Sequence, residues 1–378
     1  MGAATAFNLA RLEPDLDIRV VERDPTLRQS STLLSDGNVR IQFNLEENIR
    51  ISQYAMEVLD SFAETMEVDG QRPEPNARKQ GNLFLVDEAN RSAAESGLAL
   101  QQSLGCDVRW MTHDELGSMF PPLVSDRIVG GTLGPRDGSV DPGAVTDGYR
   151  RAAIALGVSF ETAEAESLLA NGDIATGVRL MNGSTLEAAV VVICAGAWST
   201  GLLATAGVKI PVEPVMRTVY VVASDVGRGL SLPSAFLPSG VYLIPEHDGT
   251  FLMAWSLPAD PVGFDFKPAH RDRFYDVIWP ELVEWLPAFD RLEVVGSWAG
   301  LYEQNTLDAN GIIGAWPEIG GLYMATGFSG HGFQQCHAVG RYLAESITGR
   351  PPTLDLSRLS PERVLTGAAV PEHAGRII

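Results

Sequence analysis

The chain has 378 residues, 45% of them hydrophobic, with 38 glycines and 23 prolines, a composition that excludes disordered and fibrous proteins and gives room for two loop-rich domains. Its 28 basic and 48 acidic residues leave a formal charge of −20, which repels nucleic acid and anionic membrane surfaces. No apolar run reaches the length of a membrane span, and Cys106, Cys194 and Cys336 have neither metal nor disulfide spacing, so a soluble, cytoplasmic protein with cysteines as apolar filler is expected.

The first residues, MGAATAFNLA, read as a helix that starts without an N-cap, and after the turn at Pro14 the segment Ile18–Glu22 reads as a strand ending in an acid. In a dinucleotide-binding unit a G-x-G-x-x-G turn opens such a helix, and an acid about 20 residues on holds a ribose. Gly2 and Glu22 have that separation, so Gly2 reads as the last glycine of a fingerprint whose strand and first two glycines lie ahead of residue 1; a chance helix and strand is the alternative. Arg28–Gly37 is a polar loop suited to a phosphate or ribityl chain, or simply a loop. Glu46–Met66 is predicted as one helix with Ile51, Ala55, Val58 and Phe62 on one face. A strand at Asn82–Val86, a helix at Ala89–Leu104, a mixed stretch at Val108–Met119 and a turn-rich stretch at Gly130–Val140 follow. Asp141-Pro142 opens a helix through Leu156, with proline where a first turn accepts it. Val158–Thr162, Ile174–Leu180 and Ala188–Cys194 then read as strands. The last is apolar throughout, the pattern of a strand buried on both faces, and it ends in the glycine turn Ala195-Gly196-Ala197-Trp198.

From Pro211 the pattern alternates, predicting antiparallel strands at Val215–Ala223, Val241–Pro245, Phe251–Ser256 and Leu292–Ala299, interrupted by a helix at Ala269–Trp279. Leu322–Thr326 returns to the parallel type. It breaks through Gly327, Gly330 and Gly332 into a helix marked by Phe333, Val339, Tyr342, Leu343 and Ile347. Such a turn lets backbone N–H groups approach a flat or anionic ligand, and the helix start adds partial positive charge, although an ordinary strand-to-helix corner has the same composition. His331 and His337 do not share a helical face, so no metal site is expected. The predicted class is α/β, with a discontinuous nucleotide-binding part over 1–45, 140–210 and 300–350. A substrate domain on an antiparallel sheet takes 46–139 and 211–299, and a C-terminal strap takes 351–378.

Gly2–Glu22, VVICAGAWST at Val191–Thr200, GSWAGLYEQNTLDANGIIG at Gly296–Gly314 and ATGFSGHGFQQ at Ala325–Gln335 stand in the order and spacing of the D-amino-acid oxidase-like flavoproteins. The chain resembles that family, which includes glycine oxidase, sarcosine oxidase and the dimethylglycine dehydrogenases, over nearly its whole length. QFNLEENIRIS at Gln42–Ser52 and YEQNTLDANG at Tyr302–Gly311 are similar to its subgroup of FAD-dependent oxidoreductase domain-containing proteins. The resemblance implies a glutathione-reductase-type FAD domain interleaved with an α+β substrate domain whose antiparallel sheet covers the flavin. It implies Gly2 at the FAD pyrophosphate, Glu22 and Arg23 at the adenosine ribose, and Ser30, Ser31 and Thr32 near the pyrophosphate and ribityl chain. Ala165 would offer backbone to adenine, and Ala195, Gly196 and Trp198 would border the cofactor. Gly327, Phe328, Ser329, Gly330, His331, Gly332, Phe333 and Gln334 would follow the isoalloxazine edge, with the helix start aimed at N1 and the C2 carbonyl.

The chemistry so implied is hydride removal from a carbon bearing an amine to flavin N5, giving an imine that water hydrolyses. Gly300 stands where sarcosine oxidase-like chains carry a flavin-linking cysteine, and Leu34 where dimethylglycine dehydrogenase-like chains carry a linking histidine, so noncovalent FAD is expected. Tyr302 replaces the carboxylate-binding arginine of glycine oxidase-like chains, Gln334 the lysine of sarcosine oxidase-like chains, and Leu252 their oxygen-activating lysine. Arg40 stands where sarcosine oxidase-like chains carry a substrate arginine, so the resemblance implies it as carboxylate ligand, with a structural ion pair or phosphate contact as the alternative, and Tyr242, Trp298 and Tyr302 as aromatic walls or as core. Arg40, Tyr242, Tyr302 and Gln334 are the candidate catalytic set. The expected substrate is a small secondary amine or amino acid, with oxygen or another electron acceptor. The alternatives are oxidation of a 2-hydroxy acid, or a flavin-binding assembly or interaction protein without turnover.

Overall fold

A computed structural model describes residues 1–247 and 249–372. The opening helix Gly2–Leu12 buries Ala4, Ala6, Phe7, Leu9 and Ala10 and lies between the helices Pro142–Ala155 and Gly332–Ile347. Small residues set that approach, since a Cβ on Gly340 would stand 2.8 Å from the Ala4 carbonyl carbon. Beside these helices run two short parallel pairings, Arg19–Glu22 with Ser159–Thr162 and Val191–Ile193 with Leu322–Thr326. The second is extended by antiparallel Ile312–Ala315. An antiparallel meander, Ala165–Asn171, Ile174–Leu180 and Thr185–Glu187, follows the first.

The other layer is an eight-stranded sheet in the order Glu293–Asn305, Val212–Ala223, Thr250–Ala254, Tyr242–Pro245, Ser234–Phe236, Asn82–Val86, Gly130–Gly134, Arg109–Thr112. Its pairings are antiparallel except where Ser234–Phe236 meets Asn82–Val86. Alternation along the strands separates two faces. Leu83, Leu85, Leu243 and Met253 face a core closed by the helical run Arg271–Trp285, whose middle turn, Phe274–Ile278, is π-helical. Phe84, Phe236, Tyr242 and Ile244 gather in a second cluster with Leu252 and Trp298.

Four expectations are corrected. The turn-rich stretch Gly130–Val140 contains the buried strand Gly130–Gly134; glycine is needed there because a Cβ at Gly130 would lie 2.5 Å from the Trp110 ring and one at Gly131 2.8 Å from the Phe84 carbonyl oxygen. The helix predicted as Glu46–Met66 breaks at Ser61 into Glu46–Asp60 and Phe62–Thr65. Of Ala188–Cys194 only Val191–Ile193 is strand, and Val190 is 36% exposed, so burial on both faces does not run its length. The segment expected as a surface strap is anchored by the helix Glu362–Thr366 and the buried Arg363; its last residues, 373–378, lie outside the described residues. No helix among the described residues is long and apolar enough to cross a membrane.

Arg363 Nε donates to Asp308 Oδ2 at 2.9 Å, Nη2 to the carbonyls of Asn310 and Gly311, and Nη1 to that of Leu359. Asp308 also accepts from Asn305 Nδ2 and from the amides of Asn310 and Val370. Removing one partner of such a pair strands the other charge. Arg363→Met is therefore expected to cost about 3–5 kcal/mol in chemical denaturation, whereas pairing it with Asp308→Asn recovers part of the loss.

Candidate active site

The turn after Leu322–Thr326 holds three successive demands on backbone, with φ of +76° at Gly327, +50° at Ser329 and +99° at Gly330. Gly330 cannot carry a side chain, because its Cβ would meet the Tyr302 ring at 2.6 Å. Ser329 is held in a left-handed conformation by its neighbours: its Oγ accepts the Asn305 amide at 2.9 Å and its own amide donates to the Glu303 carbonyl. The Glu303 carboxylate takes the Thr326 hydroxyl at 2.8 Å, and burial pushes its pKa up against the opposing influence of that hydroxyl and the nearby amides of Gly327 and Phe328. Phe328 is buried against Gly311 and Gly332. The first half of the turn is thus consumed by the protein. The second half opens the helix Gly332–Ile347, where the amides of Gly332, Phe333 and Gln334 have no acceptor within the helix and favour negative charge in front of them.

Arg40, just beyond the two-residue strand Asn38–Val39, is 6% exposed. Its amide donates to Gln334 Oε1 at 2.8 Å and its guanidinium contacts His331 Nε2 at 3.1 Å. The guanidinium carbon lies 4.7 Å from the centre of the Phe43 ring and 5.5 Å from that of Phe84. Among the described residues no carboxylate comes within ion-pair distance of it. Burial lowers its pKa, an effect opposed at longer range by Glu372, Asp137, Tyr302 and Asp36, but a guanidinium stays protonated. Burial and the Arg40 charge push His331 down to about 3, so His331 is neutral and Nε2 is the lone-pair acceptor. Gln334 Nε2 is buried and has no hydrogen-bond partner among the described residues. Among the described residues the Arg40 guanidinium thus has a neutral imidazole and no carboxylate as partner, which leaves it suited to take a carboxylate.

Tyr242 and Tyr302 stand on the large sheet beside this pair. Burial, together with the Asp36 carboxylate, raises the Tyr242 pKa well above the phenol range. Tyr302, likewise raised by burial, lies under the Arg217 guanidinium at 5.2 Å. Both hydroxyls remain protonated near neutral pH. Trp298 Nε1 donates to the Leu34 carbonyl at 2.9 Å, and Leu252 packs in the same aromatic cluster.

Thr32 lines a cleft with Met1, Ala3, Ala4, Thr146 and Phe333, so the first turns of the helices Gly2–Leu12 and Gly332–Ile347 open on one space. Gly2 keeps its side of that start bare. Ser31 donates to the Leu301 carbonyl at 2.7 Å and Ser30 Oγ accepts the Leu33 amide, which ties this loop to the large sheet. Farther along, half-buried Glu22 ends its strand and accepts the Asp24 amide. The Arg23 guanidinium stacks on Trp198 at 3.9 Å and pairs with Glu164, next to half-buried Ala165. Ala195 precedes Gly196, whose φ is +54° and whose missing Cβ would point into open space.

These groups fit FAD by their chemistry. Two helix starts and a threonine hydroxyl can hold a pyrophosphate, an acid at a strand end a ribose, and bare amides the charge of a reduced ring. Gly300 and Leu34 touch, a Cβ on Gly300 lying 2.9 Å from that of Leu34, and neither has a nucleophile through which a flavin could be linked. Glu303, Asp36, Phe43, Phe84 and Phe236 escaped the sequence reading. Phe84 was within reach of it, since it alternates with Leu83 and Leu85 in a strand already recognised.

A mixed α/β protein with these features is a flavin-dependent oxidoreductase. Residues 1–346 match the FAD dependent oxidoreductase family, DAO, and the chain belongs to it, with FAD as its cofactor. It is 35% identical over 400 residues to FAD-dependent oxidoreductase domain-containing protein 1 of Xenopus laevis, covering 96% of this chain and 80% of that one. Glycine oxidase of Pseudomonas aeruginosa is 32% identical over 203 residues, 53% of each chain. The crystal structure of L-proline dehydrogenase from P. horikoshii superposes with a TM-score of 0.84 at 25% identity, covering 97% of this chain and 95% of that one.

Asp137 is fully buried, bonded to the Ile41 amide at 3.0 Å and to Gln42 Nε2 at 3.2 Å, and desolvation pushes it up to about 7. A raised folded pKa stabilises the fold below the unfolded value, about 3.9, and that contribution is lost as pH rises through the folded one. Denaturation of Asp137→Asn across pH should show its stability relative to the parent improving between pH ~4 and ~7 and levelling above ~8. A constant difference would mean that Asp137 titrates as an ordinary carboxyl.

Proposed function

We propose that the protein oxidises a small secondary amine or amino acid that carries a carboxylate, at the C–H next to its nitrogen, to an imine that water hydrolyses. The observation that carries this reading is Arg40: a buried guanidinium with, among the described residues, no carboxylate in ion-pair distance, on a residue whose amide binds Gln334, a side chain whose Nε2 has no partner among those residues. Bound FAD supplies the hydride acceptor. The chain's residues hold and orient the substrate. Arg40 and Gln334 grip the carboxylate, Tyr242, Tyr302 and Trp298 wall the pocket from water, and the amides of Gly332, Phe333 and Gln334 stabilise the negative charge that collects opposite them.

An amine fits this site better than a hydroxy acid. A neutral amine expels hydride with its own lone pair, whereas an alcohol needs a base for its O–H. The nearest imidazole, His331, is a poor base at about 3 and its Nε2 is committed to Arg40. The relatives named above as L-proline dehydrogenase and glycine oxidase are named for amino acids, which supports the same reading. Electrons then leave to oxygen or another acceptor. Leu252 gives that step a hydrocarbon neighbour and no charge.

Anaerobic titration of the holoprotein with glycine, L-proline and N-methylated amino acids should bleach the flavin absorbance, and 2-hydroxy acids should not. Bleaching by hydroxy acids alone overturns the proposal; a flavin that no amine reduces favours a binding or assembly role. Arg40→Met is expected to lower kcat/KM by about 2–5 kcal/mol, the range for truncating one partner of a buried charge pair.

A further inference from the structure

The helix Gly332–Ile347 is tied down at two consecutive residues of its first turn. Gln334 Oε1 accepts the Arg40 amide at 2.8 Å, and Gln335 Nε2 donates to Asn48 Oδ1 at 3.1 Å. Asn48 lies in the first turn of Glu46–Asp60, is 1% exposed, and has both N–H groups and its oxygen engaged. Its Nδ2 donates to Asn310 Oδ1 at 2.7 Å and to Glu372 Oε1 at 2.6 Å. Glu372 Oε2 also accepts the Asn44 amide, and the Val370 carbonyl accepts Asn310 Nδ2 at 2.7 Å. The C-terminal segment thus reaches the helix start through one buried carboxamide.

A leucine at position 48 would fill a similar volume without desolvating an amide. What the carboxamide adds is direction. Bonds to three separate segments fix the place of Gln335, whose own amide donates to the His331 carbonyl at 3.3 Å and closes the first turn. The free amides of Gly332, Phe333 and Gln334 come immediately before it. Donors aimed at a developing charge are effective when they need no reorganisation, so what holds Gln335 bears on what those amides can stabilise.

We propose that Asn48 is a positioning residue for flavin reduction, holding Gln335 and with it the three free amides, and that Glu372 acts on the flavin through Asn48. This rests on the charge-stabilising role given to those amides above and not on the choice of substrate. The charge to be held is that of the reduced ring, and a helix start free to shift holds it less well.

The midpoint potential of the flavin in the holoprotein, measured against a reference dye with no substrate present, tests this. Asn48→Leu is expected to weaken the hold on reduced relative to oxidised FAD at least tenfold, a potential about 30 mV more negative. Gln335→Met, which leaves Asn48 bonded to Asn310 and Glu372, should shift it in the same direction and serves if Asn48→Leu fails to retain FAD. Glu372→Ala separates two accounts by sign. Loss of a negative charge would raise the potential, whereas loss of positioning lowers it. A lowered potential is expected, with no further fall when Asn48→Leu and Glu372→Ala are combined. The control is Ile49→Val, whose side chain packs with Phe43, Cys106 and Val108 and whose loss of a methyl weakens the fold without touching the polar chain; its potential should match the parent. An unchanged potential in Gln335→Met or Asn48→Leu, or an equal shift in Ile49→Val, overturns the role of Asn48. A raised potential in Glu372→Ala, or additive shifts in the combined variant, overturns the route from the C-terminal segment. Because no substrate enters, a flavin that amines do not reduce overturns the substrate reading alone.

Discussion

A carboxylate seated inside a glycine turn fixes the relation between the two layers of this protein. Glu303 belongs to the longest strand of the eight-stranded sheet, and it receives the Thr326 hydroxyl from the end of a strand in the other layer, beside the amides of Gly327 and Phe328. Around it Asn305 binds Ser329, and Tyr302 fills the space that a Cβ at Gly330 would need. Three consecutive contacts therefore register one sheet against the other to within a residue. The helix start at Gly332 and the aromatic wall at Tyr302 can then face a common space without either being flexible.

Much of this was legible in the sequence and some could not have been. The strand-glycine-helix pattern at Leu322–Ile347 and the strand Asn82–Val86 follow from composition and alternation, because those segments satisfy their local preferences. Gly130–Gly134 is the reverse case. Its glycines mimic a turn, but they are dictated by Trp110 and Phe84 in neighbouring strands, which is tertiary information. The same applies to Glu303, whose partner residues lie more than twenty positions away and whose ring of donors is visible only when the turn is folded. Within the site, the sequence could pick out Arg40 but could not separate a ligand-binding guanidinium from a structural ion pair. That distinction depends on where every nearby carboxylate points.

The described carboxylates that act on Arg40 are held by other donors. Asp137 is held by the Ile41 amide and Gln42, Glu372 by the Asn44 amide and Asn48, and Asp36 by the Asn38 amide. In each case a backbone amide fixes the acid, and in each case that amide lies within four residues of Arg40. Anchored this way the acids still raise the tendency of Arg40 to hold its charge, without moving in to quench it. The aromatic faces of Phe43 and Phe84 supply what local stabilisation the cation has, and a neutral His331 accepts one of its N–H groups. An apolar side chain at this position would pack more cheaply, and a paired carboxylate would stabilise the arginine more strongly. Neither would leave a buried cation without a carboxylate partner among the described residues, so the isolation of Arg40 is the feature of this fold that stability alone does not account for.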